Sequence, residues 1–472
     1  MPALFMAKFR LGGPRTTDSM LLFREIAFKE FLFGNFPLKI LKLSAQSAAA
    51  LRLRRPDPYV VRYMEVVFES EQRLLGENAR LLSDQSLASL RKYKYNGVDR
   101  SLLSRFVLNP FWTRCAALMP PWLAPNVITL IGISAIVLCN LIVLVLQGGD
   151  MSTPMPRAVY ALIGLSFFFY QTMDNIDGKQ ARRTGTSSPL GELFDHGIDS
   201  LNCLWGALLM ITTCGQGSSW TALISLIAPM VGMYLSAWET FYTKTLFLDY
   251  LNAPNEGLVV AMVFHFGAVL CGPEFWQLPL GAPGSTLYRF HRGDIWTWAL
   301  LSTVLLMHIP SCIANVYRHE PETSGANPGF RRQIGNLWPM AAIVAAMLVW
   351  CAAPGGVILG SPQKGHLFLF GWCLAFTFGR VSTTIILSHL CYSPKFPHIS
   401  IPVVLLFGGA VFYGILPRLG VAWGVVGELG YLRAYFVLSA LYFFGFANLV
   451  IDRITTYLGI RAFTIPHELR TH

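Results

Sequence analysis

The sequence predicts an all-α, polytopic integral membrane protein, and three observations carry that prediction. Of its 472 residues 53% are hydrophobic, and mean hydropathy is +0.47. Only 13% are charged, about half the roughly 25% of an average soluble domain. Apolar runs near the ~20 residues that a membrane helix needs recur from Asn126 onward. Length alone would allow two or three soluble domains, but hydropathy overrides it, and disordered, collagen-like and disulfide-scaffold classes are excluded. Nine cysteines stand mostly inside apolar runs without a C-x-x-C pair, which reads as buried thiols rather than bridges or a zinc site. Thirty-seven Lys and Arg against twenty-six Asp and Glu give a net charge of +11.

In chain order, residues 1–90 read as a basic amino-terminal arm. It mixes Arg, Lys and Glu with short apolar pieces such as Phe31-Leu32-Phe33, clusters Arg52, Arg54 and Arg55 before Pro56, and holds no run of span length. The parts of a secretory signal are absent. A cytosolic arm near anionic lipid is one reading. An Arg-rich targeting sequence is the other, interrupted by Glu25, Glu30 and Asp57. Residues 91–465 read as one membrane-embedded domain of about ten spans. Those spans are Asn126–Gln147, Ala158–Met173, Ile198–Thr213, Trp220–Ser236, Gly257–Cys271, Ile295–Val316, Ile334–Ala353, Leu367–Leu387, Ile399–Ile415 and Leu432–Val450. Lys92, Lys94, Arg100, Arg105 and Arg114 precede the first, and Lys179, Arg182 and Arg183 follow the second. The positive-inside rule puts both groups in the cytosol, and two crossings between them agree. No internal repeat argues for a transporter of duplicated halves.

One connection carries chemistry. Asp174 and Asp177 stand three apart, Asp195 and Asp199 four apart, so each pair shares a helix face. A hairpin of the second and third spans would bring all four together. Such acids repel one another unless cations neutralise them. Oxygen-only ligands favour magnesium, manganese or calcium, and the absence of Cys argues against zinc. Two divalent ions roughly 3.5–4 Å apart suit displacement at phosphorus. Gly178 and Gly191 let backbone or ligand approach, Arg182 offers a donor fork for phosphate oxygens, and Lys179 and Arg183 add positive potential. The competing reading is a solvated helix end where acids pair with these basic residues. A cation or proton relay of a transporter would instead scatter acids at mid-span.

With those residues in view, the sequence resembles the CDP-alcohol phosphotransferase family, whose signature is D-x-x-D-G-x-x-A-R-x8-G-x3-D-x3-D. Asp174, Asp177, Gly178, Ala181, Arg182, Gly191, Asp195 and Asp199 fill every fixed position. The wording D-G-K-Q-A-R-R-T and S-P-L-G-E-L-F-D-H-G is similar to the eukaryotic choline and ethanolamine phosphotransferase branch. So are Tyr93-Lys94-Tyr95, Ala124-Pro125-Asn126 and Trp238-Glu239, and the tail Tyr457-Leu458-Gly459-Ile460-Arg461 resembles the family's usual end. The similarity covers roughly Tyr93 to Phe463.

The resemblance implies a ten-helix fold in the endoplasmic reticulum or Golgi membrane, commonly dimeric, with its active site facing the cytosol. It implies transfer of phosphocholine or phosphoethanolamine from CDP-choline or CDP-ethanolamine to diacylglycerol, releasing CMP. It also implies two magnesium or manganese ions held by Asp174, Asp177, Asp195 and Asp199, and contacts from Asn126 and Arg182 to the CDP-alcohol. No nucleic-acid partner is expected.

For the general base, His196 follows Asp195 directly, and a neutral imidazole suits proton removal near pH 7. Glu192 would orient it, and Asp199 is the alternative base. A structural role for His196 stays open. Asn126 could instead cap the first span, and Trp238 with Glu239 could be an interfacial anchor. Glu192, Glu239 and Tyr93 are candidates for the cationic headgroup.

Overall fold

The computed structural model describes residues 82–319, 329–360, 365–421 and 424–466, and before them 62, 64–68 and 71. The expected Arg52, Arg54 and Arg55 cluster and Phe31-Leu32-Phe33 lie outside the described residues. After two short helical turns (Asp84–Ala88 and Ser89–Lys92) comes a three-residue strand β1 (Gly97–Asp99), followed by a π-helical turn (Ser104–Leu108) that runs into α1 (Asn109–Leu118). Long helices follow: α2 (Pro125–Gln147), α3 (Arg157–Arg183), α4 (Pro189–Cys214) and α5 (Trp220–Thr243). Beyond strand β2 (Leu246–Leu248) come α6 (Ala253–Cys271), α7 (Asp294–Arg318), α8 (Phe330–Cys351), α9 (Leu367–Leu390), α10 (Ile401–Leu419) and α11 (Gly424–Leu458).

Nine of these, α2 and α4 to α11, are long and apolar enough to cross a membrane. The 27-residue α3 is long enough to be the tenth, but the acidic and basic residues of its last third lower its average hydropathy. Among the described residues the two strands, β1 and β2, form a parallel pair, with Gly97 opposite Leu246 and Asp99 opposite Leu248. It ties the segment before the first span to the segment after α5.

Local chemistry sets the helix ends around the acidic motif. Pro125 occupies the first turn of α2 and Gly148 ends it in the left-handed region at φ 63°, the asymmetry expected of Pro and Gly at helix ends. Ser188 caps α4 by accepting from the Gly191 N–H at 3.1 Å, with Pro189 in the first turn. Ser219 caps α5 in the same way. Lys244 ends α5 at φ 56°, where a side chain other than Gly or Asn is strained.

Helices α4 and α9 form the centre, with 83% and 89% of their apolar windows buried, against 50% or less for every other candidate span. Helix α2 packs on both α3 and α4, while α3 leans also on α6, and α3 and α4 touch each other little. The two helices of the acidic motif therefore diverge around a cleft. The packed unit begins at Pro56. Within it Met64, Phe68, Leu87 and Leu90 share a core with Leu387, Leu390 and Leu449. Glu71 is buried, pairs with Arg380 of α9 at 3.0 Å, accepts the Ile401 N–H at 2.8 Å and accepts from the Tyr442 hydroxyl. The described part of the 1–90 segment is thus docked onto the helices.

No disulfide joins any of the nine cysteines, six of which are buried.

Candidate active site

The five-residue link between Arg183 and Pro189 returns the chain so that acids from α3 and α4 meet across the cleft. One carboxylate oxygen each from Asp174, Asp195 and Asp199 lies within 4.8 Å of the others. Asp174 Oδ1 and Asp195 Oδ1 are buried without a hydrogen-bond donor. Buried carboxylate oxygens are costly unless paired, hydrogen-bonded or coordinated to a metal. The Asp199 carboxylate accepts the Tyr170 hydroxyl at 2.5 Å, which leaves it oriented toward the other two.

Asp177 stands apart from that trio. It is 6% exposed and accepts from the Thr129 hydroxyl of α2, so its position is set by the first span as well as its own helix. The residues fit divalent cations, because they offer oxygens alone, clustered and partly unsatisfied.

Gly178 is open toward the cleft: a Cβ there would sit 3.6 Å from the Arg182 guanidinium. A Cβ on Gly191 would lie 3.6 Å from Ser188 Oγ and 3.9 Å from Asn126 Oδ1. Asn126, Gly178, Arg182 and Gly191 therefore border the same region as the acids. Asn126 is the second residue of α2 and caps nothing; its amide donates to the Ala462 carbonyl at 2.9 Å and ties the carboxyl-terminal tail to the site. The capping alternative is thereby removed.

His196 is half-buried on α4, and among the described residues no hydrogen bond engages its imidazole. Glu192, expected to orient it, instead accepts the Tyr93 hydroxyl at 2.5 Å. Burial and the Glu192 carboxylate push the Tyr93 phenol far above its ordinary range, so it stays a donor. Lys179 is not aimed at the acids. Its ammonium donates to Asn109 Oδ1 at 2.5 Å and Thr113 Oγ1 at 3.1 Å on α1. Trp238 is fully buried with its N–H on the Gln333 carbonyl at 3.0 Å. Glu239 accepts from Asn315 at 2.6 Å and from the Cys312 thiol at 3.3 Å. Neither is an interfacial anchor, because α5 continues past Ser236 to Thr243 and encloses both.

Three contributors were not expected. Tyr170 lies one turn before Asp174, a spacing that places it on the same face. Thr129 lies one turn after Asn126. A small polar pocket beside Glu192 is lined also by Tyr93, Lys94, Asn96, Lys244, His389 and Tyr392. The pairing of β1 with β2 brings Asn96 to Lys244, while α4 and α9 supply Glu192 and His389, so no local sequence signal marks it.

A polytopic helical protein with an acidic cage at the junction of two spans, bordered by an arginine and open glycines, defines a class: membrane-embedded enzymes that act on phosphate esters. Comparison with known proteins agrees. Residues 122–274 match the family described as CDP-alcohol phosphatidyltransferase. Choline/ethanolaminephosphotransferase 1 of Arabidopsis thaliana is 36% identical over 391 residues, covering 81% of this chain and 97% of the relative. Choline/ethanolaminephosphotransferase 1 of Saccharomyces cerevisiae is 33% identical over 405 residues, covering 82% and 98%. Ethanolaminephosphotransferase 1 of Homo sapiens is 30% identical over 307 residues, covering 62% and 74%.

The chain belongs to the CDP-alcohol phosphatidyltransferase family. It is an integral membrane CDP-alcohol phosphotransferase of phospholipid synthesis.

Proposed function

We propose that the protein transfers phosphocholine, phosphoethanolamine or both from the CDP-alcohol to diacylglycerol, forming phosphatidylcholine or phosphatidylethanolamine and releasing CMP. The observation that carries this reading is the convergence of Asp174, Asp195 and Asp199 with two unsatisfied carboxylate oxygens, one of them on Asp195, the residue before His196. The relatives' names support the two amino alcohols.

Asp174, Asp177, Asp195 and Asp199 would hold two magnesium or manganese ions. Bound there, the ions would neutralise the diphosphate and stabilise the departing CMP. Arg182, with Gly178 and Gly191 leaving room, binds phosphate oxygens bidentately. Asn126 fixes the nucleotide side of the site. The hydroxyl of diacylglycerol attacks the phosphorus that bears the amino alcohol; a P–O bond forms to the glycerol as the P–O bond to CMP breaks. His196 takes the hydroxyl proton, with Asp199 as the alternative acceptor. The Tyr93–Glu192 pair offers an aromatic face and a carboxylate to the cationic headgroup. The basic residues flanking the first two spans support a cytosol-facing site; an endoplasmic reticulum or Golgi membrane and a homodimer complete the reading.

The test is CMP release by the purified full chain supplied with diacylglycerol, magnesium and each CDP-alcohol in turn. Release with one or both amino alcohols is expected, and which one identifies the substrate. No release with either, from folded protein, overturns the proposal.

A further inference from the structure

Lys179, Gln180 and Arg183 of the acidic motif hold α1 rather than the cleft. Besides the two Lys179 bonds, Arg183 donates to the Ala116 and Met119 carbonyls at 2.6 and 2.9 Å. It thereby caps the last turn of α1, where free carbonyls and the negative end of the helix dipole favour a cation. Gln180 donates to the Pro120 and Leu123 carbonyls at 2.9 and 3.2 Å. Beneath these contacts Trp112 and Ala116 pack on Ile128 and Ile176. The last two turns of α3, which carry Asp177 and Arg182, are therefore fastened to α1.

On its other flank the segment is apolar and open: Leu102, Phe106 and Val107 are 56%, 68% and 57% exposed. Phe111 is also exposed, and its ring lies 5.7 Å from that of Phe168. Phe168 completes an exposed apolar stripe on α3 with Leu162 and Leu165, spaced three apart as one face of a span. The open flank of α1 thus continues a lipid-facing surface. Arg105 and Arg114 are exposed on the same element and suit anionic headgroups.

We propose that residues 102–118 lie in the lipid interface, and that Lys179 and Arg183 are positioning residues which transmit that anchoring to the end of α3. They set where Asp177 and Arg182 stand without touching substrate. The kinetic arm of the test rests on the proposed transfer reaction; the lipid arm does not.

Phe106→Cys in a Cys115→Ser/Cys203→Ser/Cys271→Ser background, which removes the thiols that are not buried, is labelled with bimane, and the full chain is reconstituted in phosphatidylcholine–phosphatidylserine vesicles with and without brominated acyl chains. Bromolipid should quench the label strongly; an unquenched label overturns the proposal. Phe106→Asp/Val107→Asp and Lys179→Ala/Arg183→Ala should each lower kcat about 10-fold with KM for the CDP-alcohol within about twofold. Because both break one linkage, the combined variant should lose about 10-fold rather than the ~100-fold of independent sites. Arg183→Lys should restore part of the rate. Additive losses, or a raised KM at unchanged kcat, overturn the positioning role. If no CDP-alcohol is turned over, the transfer reading fails alone. Amide exchange at residues 176–183 then decides the linkage: faster exchange in both variants supports it, and unchanged exchange in either overturns it.

Discussion

Asp177 differs from Asp174 and Asp195 in what holds it. The Thr129 hydroxyl satisfies part of its carboxylate, whereas Asp174 and Asp195 each keep a buried oxygen with no donor. The latter two therefore have most to gain from a cation. Asp195→Ala and Asp177→Ala should each lower CMP release by at least ~1000-fold, since no neighbour replaces a charge aimed at the transferring phosphate. The variants should still insert and elute as folded protein. Chelation should mimic them, with activity recovered by added magnesium or manganese in the wild type alone. His196→Ala should lower kcat by roughly 100- to 10,000-fold while KM for the CDP-alcohol changes little, the pattern of a group that acts in the transition state. Steady-state kinetics in detergent separate this from a binding role; collapse of binding with kcat preserved would make Asp199 the preferred base.

At the scale of elements, the end of α5 and the docking of the amino-terminal segment carry measurable energy. Lys244 is left-handed, and its ammonium lies 4.7 Å from the Phe241 ring centroid and 5.5 Å from that of Tyr392. Burial pulls it from 10.5 down to about 8. Below pH 8 it is protonated both folded and unfolded, so the whole cost of burying the charge is present. Between about 8 and 10.5 the folded form loses its proton first, and stability rises with pH. Lys244→Asn removes that cost and tolerates the backbone, so its melting temperature should exceed the wild type's at pH 7. The gap should narrow toward pH 10. Glu71 and Arg380 are each about 3% exposed in their side chains. Removing one partner leaves a buried charge alone, so Arg380→Ala should destabilise by about 3–5 kcal/mol, read by thermal unfolding. Glu71→Met with Arg380→Met should cost less than Arg380→Ala alone.

For the whole molecule, the described residues that build the site, from Tyr93 to Ala462, all lie in the unit that begins at Pro56. Deleting Met1–Ala50 should therefore leave at least about half of the CMP-releasing activity in detergent at saturating CDP-alcohol. Its excess of Lys and Arg favours a modest hold on anionic lipid that added salt weakens. A folded truncation that releases no CMP would show that the arm completes the site.

The helical class, the apolar spans and the acidic motif were determined by sequence alone, because hydropathy and helical spacing are local properties. Asp174, Asp195 and Asp199 were legible for that reason: their intervals fix a helix face before any packing is known. The tertiary structure decided what lies on the other side of each face. It turned Lys179 and Arg183 onto α1, gave Glu192 to Tyr93, and set Asp177 against Thr129 of another span. It also buried Trp238 and Glu239, and brought Asn96 to Lys244 through a strand pair joining segments about 150 residues apart. Spacing along one helix says which side chains share a face. Partners from distant segments are chosen by packing, and no periodicity in the sequence encodes that choice.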